Sequence, residues 1–194
     1  MHHFIFPTQD TWISSGSSTI TGESFKDQNF GRDQILEVKK EFYNSSFNYP
    51  TRALVKFNLS YISASVQNGL IPKSAKYYLN LYDAGSSDLP SSQTLYAYPV
   101  SQSWTMGDGT YHSNPQITEG VSWRYRQGEN DGTQWISGSN NTGGTWFNQY
   151  EASQSFNHET TDMRMDVTDI VKLQLSGSIA NEGFSSFKRL TMSY

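Results

Sequence analysis

The chain is predicted to be all-β, an antiparallel β-sandwich with long aromatic-rich loops, and three observations carry that prediction. The first is the run Thr51–Ser60, in which Ala53, Val55, Phe57 and Leu59 fall on one side of an extended backbone while Arg52, Lys56, Asn58 and Ser60 fall mostly on the other. Fully burying such large apolar side chains contributes roughly 1.5 to 3 kcal/mol each, so this strand anchors a sheet once a second layer covers it. The second is the recurrence of the same period-two alternation in Tyr77–Tyr82, followed by a further strand signal in Thr94–Val100. The third is composition: only 16% of residues are charged and 14% are aromatic, with abundant Ser, Thr, Asn and Gly, as short strands joined by polar turns require.

Taken in order, Asp10-Thr-Trp-Ile13 reads as a first short strand, followed by a Ser/Gly/Thr-rich loop through Gly22. Ile35-Leu-Glu-Val38 is the next strand signal, after the turn at Asn29-Phe-Gly31, and Phe42-Tyr43 extends a strand before the polar loop Asn44 to Asn48. Pro50 stands before the anchor strand, where its missing N–H does no harm, and Tyr61-Ile-Ser63 leads out of it. Tyr77, Leu79 and Leu81 form the apolar row of the following strand against Tyr78, Asn80 and Tyr82. Pro99 marks an edge or an exit of the next. After a long irregular stretch, Met163–Val171 begins as a strand and then offers Thr168 as the cap of a short helix through Leu175, stopped at Gly177. With no repeat, heptad or charge block, residues 1–194 read as a single domain.

A formal net charge of −4 supplies no broad basic face, which argues against a nucleic-acid partner. The absence of cysteine removes disulfides, thiolate zinc sites and thiol nucleophiles. No apolar run approaches the roughly 18 residues of a membrane span, so no membrane insertion is expected. The apolar run at the N-terminus is cut by Pro7 and has no Lys or Arg before it, so it does not read as a secretory signal. The pair His2-His3 has no carboxylate or Cys partner nearby and reads as a solvent-facing terminus.

Between Ser101 and about Asn157 the regular pattern thins while Trp104, Trp123, Trp135 and Trp146 stand among Gly, Asn, Ser and Thr. Loops longer than roughly 15 residues are usually functional or disordered, and the aromatics argue against disorder. Trp123, Tyr125, Trp135 and Trp146 are the candidate glycan-binding or interface residues, because indole and phenol faces stack on flat sugar faces and also fill subunit contacts. Sealing the open end of the sandwich is the third reading, and sequence does not separate it from an interface. His112, His158, Glu119, Glu129, Asp131 and Glu159 are scattered without an H-E-x-x-H, G-x-S-x-G or paired-carboxylate spacing, so no catalytic residues are assigned and no enzyme is expected. Asp166 and Asp169 lack the D-x-D-x-D-G context of a Ca²⁺ loop and read as helix-capping residues; no metal and no cofactor is expected.

The order of landmarks resembles the DNRLRE family of jelly-roll domains, found on bacterial surface proteins, polysaccharide-binding modules and phage virion proteins. The landmarks are Asp10-Thr-Trp-Ile13, Asn29-Phe-Gly31 with Ile35–Val38, Arg52–Ser60, Ile71–Tyr82, Ser103-Trp104, Gly120–Trp123, Asp166–Val171 and Asn181–Phe184. The form of Tyr96–Trp104 and Met163–Thr168 is similar to structural proteins of tailed phages of marine bacteria. The resemblance implies a jelly roll. It also implies a non-enzymatic virion subunit of tail, neck or capsid surface, made in the host cytoplasm and contacting other virion proteins in several copies. The alternative is a carbohydrate-binding module or adhesin that recognises cell-surface glycans. The sequence departs from the family at Asn58, where Asp is usual, and beyond Phe184, where about two further strands are usual. A sheet edge left bare by missing last strands is then expected to be completed by a neighbour's strand, or residues 185–194 to fray.

Overall fold

The structure, a computed structural model, describes residues 3–18, 21–39, 41–43, 46–84, 93–128, 132–136, 143–157 and 162–188. Among these lie β1 (Gln9–Ser14), β2 (Glu41–Tyr43), β3 (Ser46–Asn48), β4 (Thr51–Lys56), helix α1 (Ser60–Gln67), β5 (Tyr78–Leu81) and β6 (Gln93–Pro99). They are followed by β7 (Ala152–Phe156), β8 (Met163–Asp166), helix α2 (Thr168–Leu175) and β9 (Phe184–Lys188). A five-stranded antiparallel sheet runs β1-β4-β9-β6-β7, and β5-β8 and β2-β3 form two-stranded pairs. The expected all-β antiparallel sandwich is what forms. No helix among the described residues is long and apolar enough to cross a membrane.

Each face of the large sheet carries a buried cluster. On one, Val55, Leu95, Ala97, Ala152 and Phe184 pack with Leu79 of β5, Met165 of β8 and Ile170 and Val171 of α2. On the other, Ile13, Leu54 and Val100 pack with Trp104, Val121, Trp123 and Trp135 of the long irregular segment. The anchor strand keeps its expected register, with Val55 in the first cluster and Phe57 and Leu59 packed part-buried against it, and Lys56 remains outside it. It is not half-buried, however, because Leu54 is fully enclosed on the second face by the tryptophan layer. Phe57 and Leu59 also lie past the strand's end. Asn58 accepts hydrogen bonds there from the Ser60 N–H and hydroxyl at 2.9 and 2.7 Å and starts α1, a helix the sequence did not announce.

Three further expectations are corrected. Ile35–Val38 forms no strand: Leu36 and Val38 pack inward, while Ile35 points to solvent. The loop Asn44–Asn48 contains β3, which pairs with β2. Thr168 is the first helical residue rather than the cap; its N–H is held by the Asp166 carboxylate at 3.0 Å, and its hydroxyl accepts from the Tyr77 N–H at 2.9 Å, tying α2 to β5. The helix does stop at Gly177, whose φ is +74°.

The segment after Asn181, expected to leave an edge bare, supplies the centre of the sheet. β9 pairs with β4 at Ala53–Ser186, Leu54–Ser185 and Val55–Phe184, and with β6 from Pro99–Phe184 to Leu95–Lys188. The sheet's interior is therefore closed by the chain itself through Lys188. Its entry is clamped by the Asn181–Phe184 landmark. Asn181 donates to the Phe57 carbonyl at 2.8 Å, Glu182 pairs with Lys56 at 2.6 Å, and the Glu182 carbonyl accepts from Trp104 Nε1 at 2.9 Å. Gly183 has φ +80°, and a Cβ there would stand 2.1 Å from the Val55 carbonyl oxygen, so β9 reaches its slot only with glycine at this point.

Candidate functional site

Of the four aromatic candidates, two turn inward. Trp123 and Trp135 are buried in the second cluster, and Trp135 Nε1 donates to the Ser122 carbonyl at 3.0 Å. Trp146 and Tyr125 are part-exposed. Trp123 and Trp146 hold the Arg52 guanidinium between them, its carbon 4.8 and 4.7 Å from the two ring centres, and Arg52 also donates to the Gly143 carbonyl. Burial pushes the guanidinium pKa down to about 10, still far above neutrality. The two indole faces and the carbonyl favour the cation against that desolvation. His112 is exposed, and His158, Glu129, Asp131 and Glu159 lie outside the described residues. Among the described residues no group of three or more His, Cys, Asp or Glu side chains is placed to hold a metal ion.

The structure instead assembles a groove of about 480 Å³ from residues the sequence did not single out together. Its floor begins with Trp12 of β1, on which Phe30 stacks at 3.8 Å between ring centres, with Phe25 edge-on to Phe30 at 5.6 Å. Tyr111 lies 5.5 Å from Phe25 and 6.5 Å from Trp12, tilted only 26° from the indole plane, and is 39% exposed. The Asp33 carboxylate joins the two walls, accepting from Trp12 Nε1 at 2.9 Å and from the Tyr111 N–H at 3.0 Å. Ile35, 60% exposed, adds an apolar flank, and Gln34 and the Glu37–Lys39 pair at 2.7 Å add polar groups. An aromatic wall, an apolar flank and hydrogen-bonding groups in one concavity suit a polyhydroxylated ring better than a flat protein contact.

What fixes the groove is Asn29, which is fully buried. Its Nδ2 donates to the Met106 and Val121 carbonyls at 2.6 and 2.8 Å, and its Oδ1 accepts from the Gly31 and Gly109 N–H groups at 3.0 and 2.8 Å. An amide with two donors and two lone pairs is thereby saturated. A Cβ on Gly109 would lie 2.2 Å from the Asn29 carbonyl oxygen, so the two loops touch backbone to backbone. Gln28 Nε2 to the Thr110 carbonyl at 2.9 Å and the Arg32 N–H to the Gly109 carbonyl at 2.8 Å complete the seam that carries Tyr111 to Asp33.

A second, more polar cleft of about 370 Å³ lies at the start of α2, lined by Lys76, Glu151, Asp166, Asp169 and Lys172 among others. Asp166 is held below the usual carboxylate range, first by the Thr168 hydroxyl and then by its backbone N–H, with Lys76 and Lys172 adding to the effect against partial burial. A carboxylate stabilised in the folded state contributes fully above its unfolded pKa and loses that contribution as pH falls through the folded one. Urea midpoints measured against pH are therefore expected to fall less steeply on the acid side for Asp166→Asn than for the wild type.

The fold is an all-β antiparallel domain that carries an open aromatic groove. The chain matches the family model of carbohydrate-binding module family 96 over residues 3–136, and it belongs to that family. The matched span contains β1, the Asn29 seam, Asp33, Tyr111, Trp123, Tyr125 and Trp135, and stops short of Trp146 and of β7 to β9. The match backs the carbohydrate-binding reading rather than the virion reading, and the expected resemblance to DNRLRE and phage virion proteins finds no support in it. No curated protein matches the chain.

Proposed function

We propose that the protein is a non-catalytic carbohydrate-binding module that seats a sugar ring in the groove between Trp12, Tyr111 and Ile35. The observation that carries this is the half-exposed Tyr111 ring, held in place through its own N–H by Asp33 within the family-matched span. The pyranose face lies against Tyr111 and Ile35, and Gln34, Glu37 and Lys39 take its hydroxyls. The virion role has no observation of its own in support, and the partner proposed here is a glycan.

Affinity electrophoresis against a panel of soluble polysaccharides tests the reading. Tyr111→Ala is expected to weaken retention about tenfold, close to 1.4 kcal/mol, with the melting temperature little changed because the ring is partly in solvent. Wild-type protein that is retained by no polysaccharide, or a Tyr111→Ala variant retained as well as wild type, would refute the placement.

A further inference from the structure

A second aromatic surface lies away from the groove, on the outer face of the β5-β8 ribbon. Leu79 and Met165 pair across the ribbon and face the core, so Tyr78, Asn80, Arg164 and Asp166 face outward by the alternation of the strand. Tyr82, one residue past the end of β5, continues that outward row. Tyr78 is 37% and Tyr82 is 74% exposed. Large aromatics open to water on a regular strand cost solvation, and here they alternate with hydrogen-bonding groups rather than with other apolar side chains. Asn80 stands between the tyrosines and opposite Arg164, whose guanidinium lies 4.1 Å from the centre of the Tyr78 ring. Asp162, also exposed, accepts from the Asp83 N–H at 3.3 Å beside Tyr82.

We infer that this face is a second glycan-binding surface, one for an extended, flat, linear polysaccharide chain, and the inference rests on the carbohydrate-binding reading above. Residues four apart on a strand stand about 13 Å apart, which exceeds one sugar ring, so the two tyrosines engage successive parts of a chain and not a single ring. Arg164, fixed as a plate on Tyr78, offers planar N–H donors in line with the chain, and Asn80 offers an amide between the rings. β5 and β8 hold Tyr78, Asn80 and Arg164 at fixed spacing, with Tyr82 one residue beyond, so little side-chain freedom is lost on binding. The charges along the face alternate, Arg164 near Asp162 and Lys76 3.9 Å from Asp166, so ring stacking and hydrogen bonds carry the contact, not a one-signed field. The face extends beyond the matched residues, since β8 lies outside them.

The test compares wild type, Tyr82→Ala, the double variant Tyr78→Ala/Tyr82→Ala, and Tyr111→Ala. Each is measured on long chains, neutral (mixed-linkage β-glucan, xylan, mannan) and polyuronate (pectate, alginate), and on di- and trisaccharides cut from whichever chain binds. The double variant is expected to lose tenfold or more on the long chain and to keep wild-type affinity for the short fragments. Tyr82→Ala, which removes a side chain almost wholly in solvent, is expected to lose at least threefold with an unchanged melting temperature. Tyr111→Ala is expected to lose affinity for both lengths. The alternating charges favour a neutral chain, so Arg164→Met is expected to weaken binding of neutral chains through lost contacts to hydroxyls; a loss confined to polyuronate would overturn the assignment to a neutral chain. If wild type binds long chains and the double variant binds them equally well, the second surface is overturned while the groove stands. If wild type binds none, both fall.

Discussion

Asn29→Ala is expected to be the most damaging single substitution in the groove's framework, lowering the melting temperature by about 10 °C or more and abolishing glycan retention with it. Truncation leaves the carbonyls of Met106 and Val121 and the N–H groups of Gly31 and Gly109 without the partner that saturates them. Each buried polar group so stranded costs about 1 to 3 kcal/mol, and the sum is a large part of the 5 to 15 kcal/mol that holds a typical domain. Asn29→Asp sharpens the argument. It keeps an acceptor for the two N–H groups but points a carboxylate oxygen at two carbonyl oxygens, so its ionised form is repelled and its folded-state pKa is raised. Stability of that variant is expected to fall as pH rises from about 4 to 7, the reverse of an ordinary paired carboxylate. Thermal melts of the two variants across that range check both statements. An Asn29→Ala protein melting within about 2 °C of wild type would dispose of the seam as a structural device.

The second large effect is expected at Arg52. The guanidinium fills the space between Trp123 and Trp146 and bonds to the Gly143 carbonyl, so Arg52→Ala removes the plate that spaces two indoles and opens a void beside the second core cluster. Desolvated cation–π contacts are worth up to about 2 kcal/mol each, and the cavity adds to the loss, giving roughly 3 to 4 kcal/mol in chemical denaturation. Arg52→Lys restores the charge without the plane and is expected to recover less than half of that, because an ammonium cannot lie flat on two rings at once. Arg52→Met restores the volume without the charge. If Arg52→Lys and wild type share a denaturation midpoint, the planar stack contributes nothing.

Of the strands that sequence made legible, β4, β5, β6 and β8 carry apolar side chains at alternate positions, while β1 was marked by Trp12-Ile13 and β2 by Phe42-Tyr43. β7, with sequence Ala-Ser-Gln-Ser-Phe, did not show because it is an edge strand whose exposed positions are Ser153 and Ser155 and whose inner row, Ala152, Gln154 and Phe156, is broken by a polar residue. β9 did not show because two of its three described side chains are the serines Ser185 and Ser186, buried against Leu54 and Ala53 where a larger side chain was expected. α1 buries only Ile62 and Ser65, too little for a helical period to register. Ile35–Val38 misled in the opposite direction, since its apolar residues divide between the core and the groove's rim instead of lining one face of a strand.

The groove was less legible still. Trp12 and Tyr111 are remote in sequence and meet only because Asn29 pins the loop of Gly107 and Gly109 to the turn at Gly31. Of the three readings of the tryptophans, sealing the sandwich is the one the sheet needed for Trp123 and Trp135: a strand such as β4, buried on both faces, demands a second apolar layer, and Trp104, Trp123 and Trp135 provide it. The signal that would have found the site was a solitary Tyr-His pair at 111–112 in a loop otherwise free of aromatics, set against Asp33 just after a turn.

The position of β9 has a consequence for the order in which the molecule is made. During synthesis β4 and β6 leave the ribosome long before the residues that join them, so each presents an open edge until β9 follows. The β1-β4 and β6-β7 pairs can close early, but the sheet is two pieces until residues 184–188 slide between them. Pairing over such separations is slow because loop closure precedes its reward. The nascent sheet is thus exposed to edge-to-edge association until β9 emerges, and a holdase binding extended strands would act in that interval.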